Sequence, residues 1–123
     1  MTELKGKYAE GFNVQLINLF KELNRMYPDN NDFKLVKYKI QILSQTSTYE
    51  IPIKTYEVHI GSTYRHHLVN RNENFFLNFN LQNTPLKDLD YLKKIWESIN
   101  DQTKNTMWRY FIILDKLSEK YHL

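Results

Sequence analysis

The stretch MWRYFIILDKL, residues 107–117, holds the longest apolar run of the chain and decides its fold class. Met107, Trp108, Phe111, Leu114, Leu117 and Tyr121 recur at steps of three and four, a period that an α-helix satisfies and a strand does not. Ile112 and Ile113 add apolar surface beside that stripe, so burial on more than one side is expected.

Working outward, the preceding segment carries the same period. Thr84-Pro85 is a helix-start signal: a threonine oxygen accepts from an orphan N–H, and proline at the first helical position has no N–H to lose. Leu86, Leu89, Leu92, Trp96 and Ile99 then share one face, while Lys87, Lys93, Lys94 and Glu97 fall elsewhere. Asp90 and Lys94 are spaced for a surface ion pair. Asn100 and Asp101 break the pattern, and Asp101 is expected to cap the next helix. So short a join predicts antiparallel neighbours. Trp96, Trp108, Phe111 and Phe20 are the expected core anchors.

Toward the N-terminus, residues 1–8 are polar and expected to be loosely ordered. Phe12, Leu16, Leu19, Phe20, Leu23 and Tyr27 predict an amphipathic helix ending before Pro28. Asn13, Asn18, Lys21, Glu22 and Arg25 lie off its apolar face. Pro28-Asp29-Asn30-Asn31 is a turn. A second helix is expected from about Asp32 to Gln45, with Phe33, Val36, Ile40 and Leu43 inward and Leu35 and Ile42 as a second apolar edge. Any of Asp29, Asn30 and Asn31 suits its cap. Ser44 to Glu50 reads as a loop. Pro52, Ile53, Tyr56 and Ile60 predict a third helix, interrupted at Gly61 and resumed through Tyr64 and Leu68; the alternation in IPIKTYEVHI also fits a strand, but a lone strand has no partner. A short helical turn at Asn74 to Phe79 is expected to plug the core with its aromatics.

The bulk numbers confine this to one domain over residues 1–123, long enough to form a core without covalent staples. Three glycines and three prolines are too few for the turns of a sandwich or a wound α/β sheet. The chain has no cysteine, which excludes a disulfide framework and thiolate chemistry and fits an intracellular, reducing setting. The N-terminus lacks the apolar core of a classical secretion signal, and no run approaches the length of a membrane span. A net charge of +3 is too mild to mark a dedicated nucleic-acid binder.

Candidate chemistry is sparse. Phe33 to Tyr49 contains Lys34, Lys37 and Lys39 and no acid; Lys34, Lys37 and Gln41 share one helical face with Tyr38 beside them. Such a face grips phosphates and stacks a base, or serves as a solvated surface. His59, His66 and His67 cluster, but their spacing does not build a helical zinc site, and no metal ligand set is assigned. Asp88 and Asp90 diverge on a helix. No glycine-rich phosphate loop or nucleophile motif is present, so no catalytic residue, cofactor or enzymatic activity is assigned. Nine tyrosines and seven phenylalanines are more than a domain this size hides, which fits a protein-binding surface or self-association, or core and boundary packing with the tyrosine hydroxyls in water.

Two blocks resemble small helical proteins of large eukaryotic DNA viruses. One is Phe75-Phe76-Leu77 before a helix ending in Ile95-Trp96, followed by Thr103-Lys104 and Trp108 with Tyr110. The other is FNVQLINLFKELNRMYPDNNDFK, residues 12–34. Pro52 to His67 departs from the pattern. The resemblance implies a viral origin and a host-cytoplasmic or virion setting, and supplies no catalytic residue. Together these readings predict an all-α single domain of about five helices in an irregular or orthogonal bundle. The expected function is a non-enzymatic protein-interaction or structural, virion-associated role, with a nucleic-acid-associated factor using the basic helix 33–45 as the alternative.

Overall fold

A computed structural model describes residues 2–45, 48–84 and 86–123, without the side chains of Thr2 and Asp88. The domain is all-α, as the periodicity requires, and no strand occurs among the described residues. Helix α1 (Thr2–Met26) is the spine, with α2 (Asn31–Ser44) and α7 (Asp101–Tyr121) packed against it. Ala9, Phe12, Leu16, Leu19, Phe20 and Leu23 of α1 are buried at the predicted spacing. The helix begins at Thr2, so residues 2–8 of the stretch expected to be loosely ordered are helical; Met1 lies outside the described residues. Its first turns lie beside the Tyr49 and Tyr121 region: a Cβ on Gly6 would lie 3.1 Å from the Tyr49 hydroxyl, and Lys5 Nζ sits 5.3 Å from the Tyr121 ring centre.

Of the three candidate caps for α2, Asn30 serves: its side-chain oxygen accepts from the N–H groups of Asp32 and Phe33 at 3.0 and 3.3 Å. Its amide also donates to the Tyr91 hydroxyl at 3.0 Å, tying the turn to a distant helix. The next predicted helix runs helically throughout, as α3 (Ile51–Tyr56), a π turn (Glu57–Gly61) and α4 (Ser62–Val69). Gly61 does not break the chain; it sits inside the wider turn. Helix α5 (Asn74–Asn78) presents Phe75 and Phe76 to the core, as expected.

The expected helix over 84–99 is fragmented. A 3₁₀ turn (Lys87–Leu89), α6 (Asp90–Ile95) and a second 3₁₀ turn (Trp96–Ser98) replace it, yet Leu86, Leu89, Leu92, Trp96 and Ile99 are all buried. Thr84 Oγ1 accepts from Leu86 N at 3.1 Å and donates to the Leu81 carbonyl at 2.7 Å; Pro85 lies outside the described residues. Asp90 stands where the first 3₁₀ turn passes into α6. It is buried, where a surface pair with Lys94 was expected, and accepts from Leu81 N at 3.1 Å and Gln82 Nε2 at 2.7 Å. Those bonds tether the chain at 81–82 to the first turn of α6. Asp90→Ala is expected to cost about 2 kcal/mol, the worth of charge-assisted bonds left unmade; urea unfolding with an unchanged midpoint would refute this role.

Helix α7 is capped by Asn100, whose side chain accepts from Thr103 N at 2.8 Å, and not by Asp101. It packs against α1 and against the α3–π turn–α4 segment, as burial on more than one side requires; of the two added isoleucines Ile112 is half-buried and Ile113 is 41% exposed. Trp96, Trp108 and Phe111 meet α5 in one aromatic cluster: Phe76 stacks on Trp96 at 3.9 Å, and Trp96 and Trp108 meet edge-on at 5.5 Å. Phe20 packs against Phe33 of α2 with ring centres 6.2 Å apart.

Candidate interaction surface and a buried ionic clamp

The basic helix predicted at 33–45 is α2, and its inward residues Phe33, Val36 and Ile40 are buried. The structure changes the character of its outer face. Leu35, Tyr38 and Ile42, at steps of three and four, form an outward ridge, 55%, 46% and 66% exposed. Leu35 and Ile42 are thus the second apolar edge read from the sequence, and it faces outward. Lys34 and Lys39 border the ridge on opposite sides, about 140° apart at about 100° per residue. Lys37 and Gln41 are half-buried on Lys34's side, and Lys37 Nζ lies 5.0 Å from the Tyr38 ring centre. The structure thus places Lys34, Lys37, Tyr38 and Gln41 on one flank, as the spacing predicts, and Lys39 on the other. A cavity of about 230 Å³ opens beside the ridge, lined by Asp32, Leu35, Val36, Lys39 and Tyr91.

A second constellation lies inside the fold, where α3, the π turn and α4 meet α7. Arg65 donates from Nε to both oxygens of Asp115, at 3.2 and 3.0 Å, and from Nη2 to Glu57. The Tyr56 hydroxyl donates to Asp115 at 3.0 Å, and Ser118 Oγ donates to Glu57 Oε1 at 3.1 Å. Glu119 Oε2 stands 3.7 Å from Arg65 Nε, and His122 Nδ1 stands 3.8 Å from Glu57 Oε1. Burial holds the Asp115 carboxyl above the usual carboxylate range, while Arg65 and the Tyr56 hydroxyl pull it back down. Burial, with Asp115 beside it, pushes the Tyr56 hydroxyl well above the ordinary phenol value.

The π turn makes this geometry possible by carrying Glu57 and Gly61 on a widened coil next to Arg65. A Cβ on Gly61 would lie 2.7 Å from Arg65 Nη2 and 2.9 and 3.0 Å from the Glu57 oxygens. Both side chains are pinned by α7, so they have little room to yield. Gly61→Ala is expected to destabilise by about 1 kcal/mol, because crowding outweighs alanine's helix advantage. A raised melting temperature would show that the pair gives way freely.

Elsewhere, the His66 and His67 rings lie 4.0 Å apart. Among the described residues no group of three or more His, Asp or Glu is placed to hold a metal ion. A polar cleft of about 430 Å³ between the end of α1 and the start of α7 contains Arg109 and the Glu22–Arg25 pair. Its Thr106 hydroxyl donates to the Gln102 carbonyl at 3.1 Å. No helix among the described residues is long and apolar enough to cross a membrane.

Sequence reasoning missed the clamp entirely. Glu57, Arg65, Asp115 and Ser118 belong to three segments whose meeting no spacing predicts, although Asp115 and Ser118 do fall on the apolar stripe of α7. It also missed Asn13, assigned to a polar side but buried, its amide donating to the Tyr49 carbonyl at 2.8 Å. Comparison with models of known protein families, with characterised proteins and with solved structures finds no match.

Proposed function

We propose that this is a non-enzymatic protein-interaction or structural protein that works by docking a partner on the outer face of α2. The observation that carries the reading is the Leu35–Tyr38–Ile42 ridge. Three large apolar side chains in register on one helix face are surface that water solvates poorly and a partner covers with gain. The ionic groups of the clamp support the same reading from the other side. They are spent on one another within the fold, which suits a role in holding α4 to α7 better than one in turnover. The viral, virion-associated setting and the intracellular location rest on the sequence resemblance and the cysteine-free composition.

The test is a partner recovered by cross-linking, purified, and mixed with the protein under light scattering. A complex of fixed stoichiometry is expected with the native chain and none with Ile42→Glu. That variant should keep its stability within about 0.5 kcal/mol, because the site is exposed. Turnover of a small molecule by the purified protein, or a complex indifferent to Ile42→Glu, would overturn the proposal.

The second reading, a nucleic-acid-associated factor, is favoured by Lys34, Lys37 and Gln41 lining one flank over two turns. It predicts binding to short duplex DNA that weakens as salt rises and falls in Lys34→Glu plus Lys37→Glu. Against it, the crest between Lys34 and Lys39 is apolar, and Lys37 sits against the Tyr38 ring that would stack a base.

A further inference from the structure

We infer that the cleft between the end of α1 and the start of α7 binds a nucleoside monophosphate. Arg25 and Arg109 hold its phosphate, and its base lies in the apolar cavity that adjoins the cleft at Tyr27. This site is separate from the α2 ridge and adds a small ligand to the partner proposed there.

Charge selects the phosphate. The charged residues that line the cleft are Arg25, Arg109 and Glu22. None of the three is idle. Arg25 donates to Glu22, and Arg109 Nη2 stands 3.5 Å from Thr106 Oγ1. Hydrogen bonding from Arg25 holds the Glu22 carboxyl below the usual carboxylate range; burial opposes this, and the charge of Arg109 adds to it. Glu22 is thus the oxyanion that both guanidiniums already attract, and a ligand has to displace it. A carboxylate or a phosphodiester brings a single negative charge, no more than Glu22 supplies, and Glu22 has the advantage of being tethered at the site. A phosphate monoester brings about −1.5 to −2 near pH 7, with three acceptor oxygens. Once the half-buried Glu22 turns to solvent, that charge matches the two arginines, whose planar forks suit phosphate oxygens.

Size and lining select the rest of the ligand. At about 430 Å³ the cleft falls within the range of small-molecule sites and leaves room beside a phosphate. Asn100 and Gln102 line it with side-chain amides, whose donors and acceptors suit sugar hydroxyls. A second cavity, of about 210 Å³, meets the cleft at Tyr27, which lines both. It exceeds the roughly 150 Å³ that accommodates a benzene ring. Tyr27, Phe33, Ile95 and Ile99 give it apolar walls, and Asn30 and Ser98 are its polar groups. The Tyr27 and Phe33 ring centres lie 6.2 Å apart. A base has the flat face that stacks on such walls and the polar edge that bonds to the amide and the hydroxyl.

The experiment titrates the full chain with four probes: adenosine monophosphate, adenosine, inorganic phosphate and a short phosphotyrosine peptide. Affinity is read by calorimetry, and the site by amide shifts in ¹⁵N spectra. Adenosine monophosphate is expected to bind at least about tenfold more tightly than adenosine or phosphate alone, with shifts confined to residues 22–33 and 95–109. Arg109→Gln, at an exposed position, should lower that affinity at least about tenfold and leave the melting temperature in place. Glu22→Gln, which removes the competing carboxylate, should raise it. Phosphate binding as tightly as the nucleotide would overturn the base cavity and leave an oxyanion site. Tighter binding of the phosphotyrosine peptide would overturn the nucleotide in favour of a phosphorylated protein. Weaker nucleotide binding in Glu22→Gln would overturn the displacement of Glu22. Nucleotide binding that ignores Arg109→Gln, or no shift at millimolar nucleotide, would overturn the site itself.

Discussion

Trp108→Ala is expected to lower the stability of the domain by about 3–5 kcal/mol, the usual loss when a large aromatic leaves a packed core. Trp108 is buried between α5 and the second 3₁₀ turn, with ring centres 5.4 Å from Phe76, 5.5 Å from Trp96 and 6.4 Å from Phe75. Those rings cannot close the space, because Phe76 is already stacked on Trp96 and Phe75 on Phe79. A domain of this size holds about 5–15 kcal/mol in total, so the variant falls near the edge of folding. Trp108→Phe, which keeps an aromatic ring, is expected to lose much less. Urea unfolding measures both; a loss below about 1 kcal/mol for the alanine variant would mean that Trp108 is not a core residue.

Arg65→Met is expected to cost about 3 kcal/mol at neutral pH, with a pH dependence that identifies the cause. The Asp115 side chain is only 8% exposed and Glu57 15%, and both lose their cation in the variant. Breaking a buried pair leaves an uncompensated charge, which costs more than the pair itself is worth. Asp115 already titrates above the usual carboxylate range through burial, and loss of Arg65 removes a group that lowers it, so it rises further. A carboxyl raised in the folded state favours folding while protonated. That contribution is complete below the unfolded value, about 3.9, and is lost as pH climbs through the folded one. The deficit of Arg65→Met against the native chain should therefore be small near pH 4 and grow toward pH 7. Adding Asp115→Asn, which cannot ionise, should recover part of it. Urea midpoints across that range decide the matter; a deficit independent of pH would assign the loss to packing.

The periodic segments were legible because their burial follows from sequence spacing alone. The apolar faces of α1, α2 and α7 appear where the three-four repeats put them, since a helix fixes which side chains share a side. Over 84–99 the buried residues were legible and the backbone was not. Burial depends on the repeat, whereas the inward turn of Asp90 to hold Leu81 and Gln82 is a tertiary contact that spacing does not show. The extension of α1 to Thr2 was hidden because its first two turns are polar and owe their order to contacts with segments far along the chain. At the candidate site the lysines of α2 were visible in the sequence. The apolar edge of Leu35 and Ile42 was legible too, but not its outward direction, because periodicity shows which residues lie together and not which face meets the spine.

By itself the amino-acid sequence determined the all-α class, the positions of the helix cores and the aromatic anchors Trp96, Trp108, Phe111 and Phe20, because these are properties of local spacing and side-chain size. Only the tertiary structure decided two things. It brought Glu57, Arg65 and Asp115 together across separations of 8 and 50 residues, with the side chains of Glu57 and Arg65 closed over Gly61 in the π turn. It also turned Leu35, Tyr38 and Ile42 outward, because α2 packs inward through Phe33, Val36 and Ile40, and a helix that buries one face leaves the opposite one exposed.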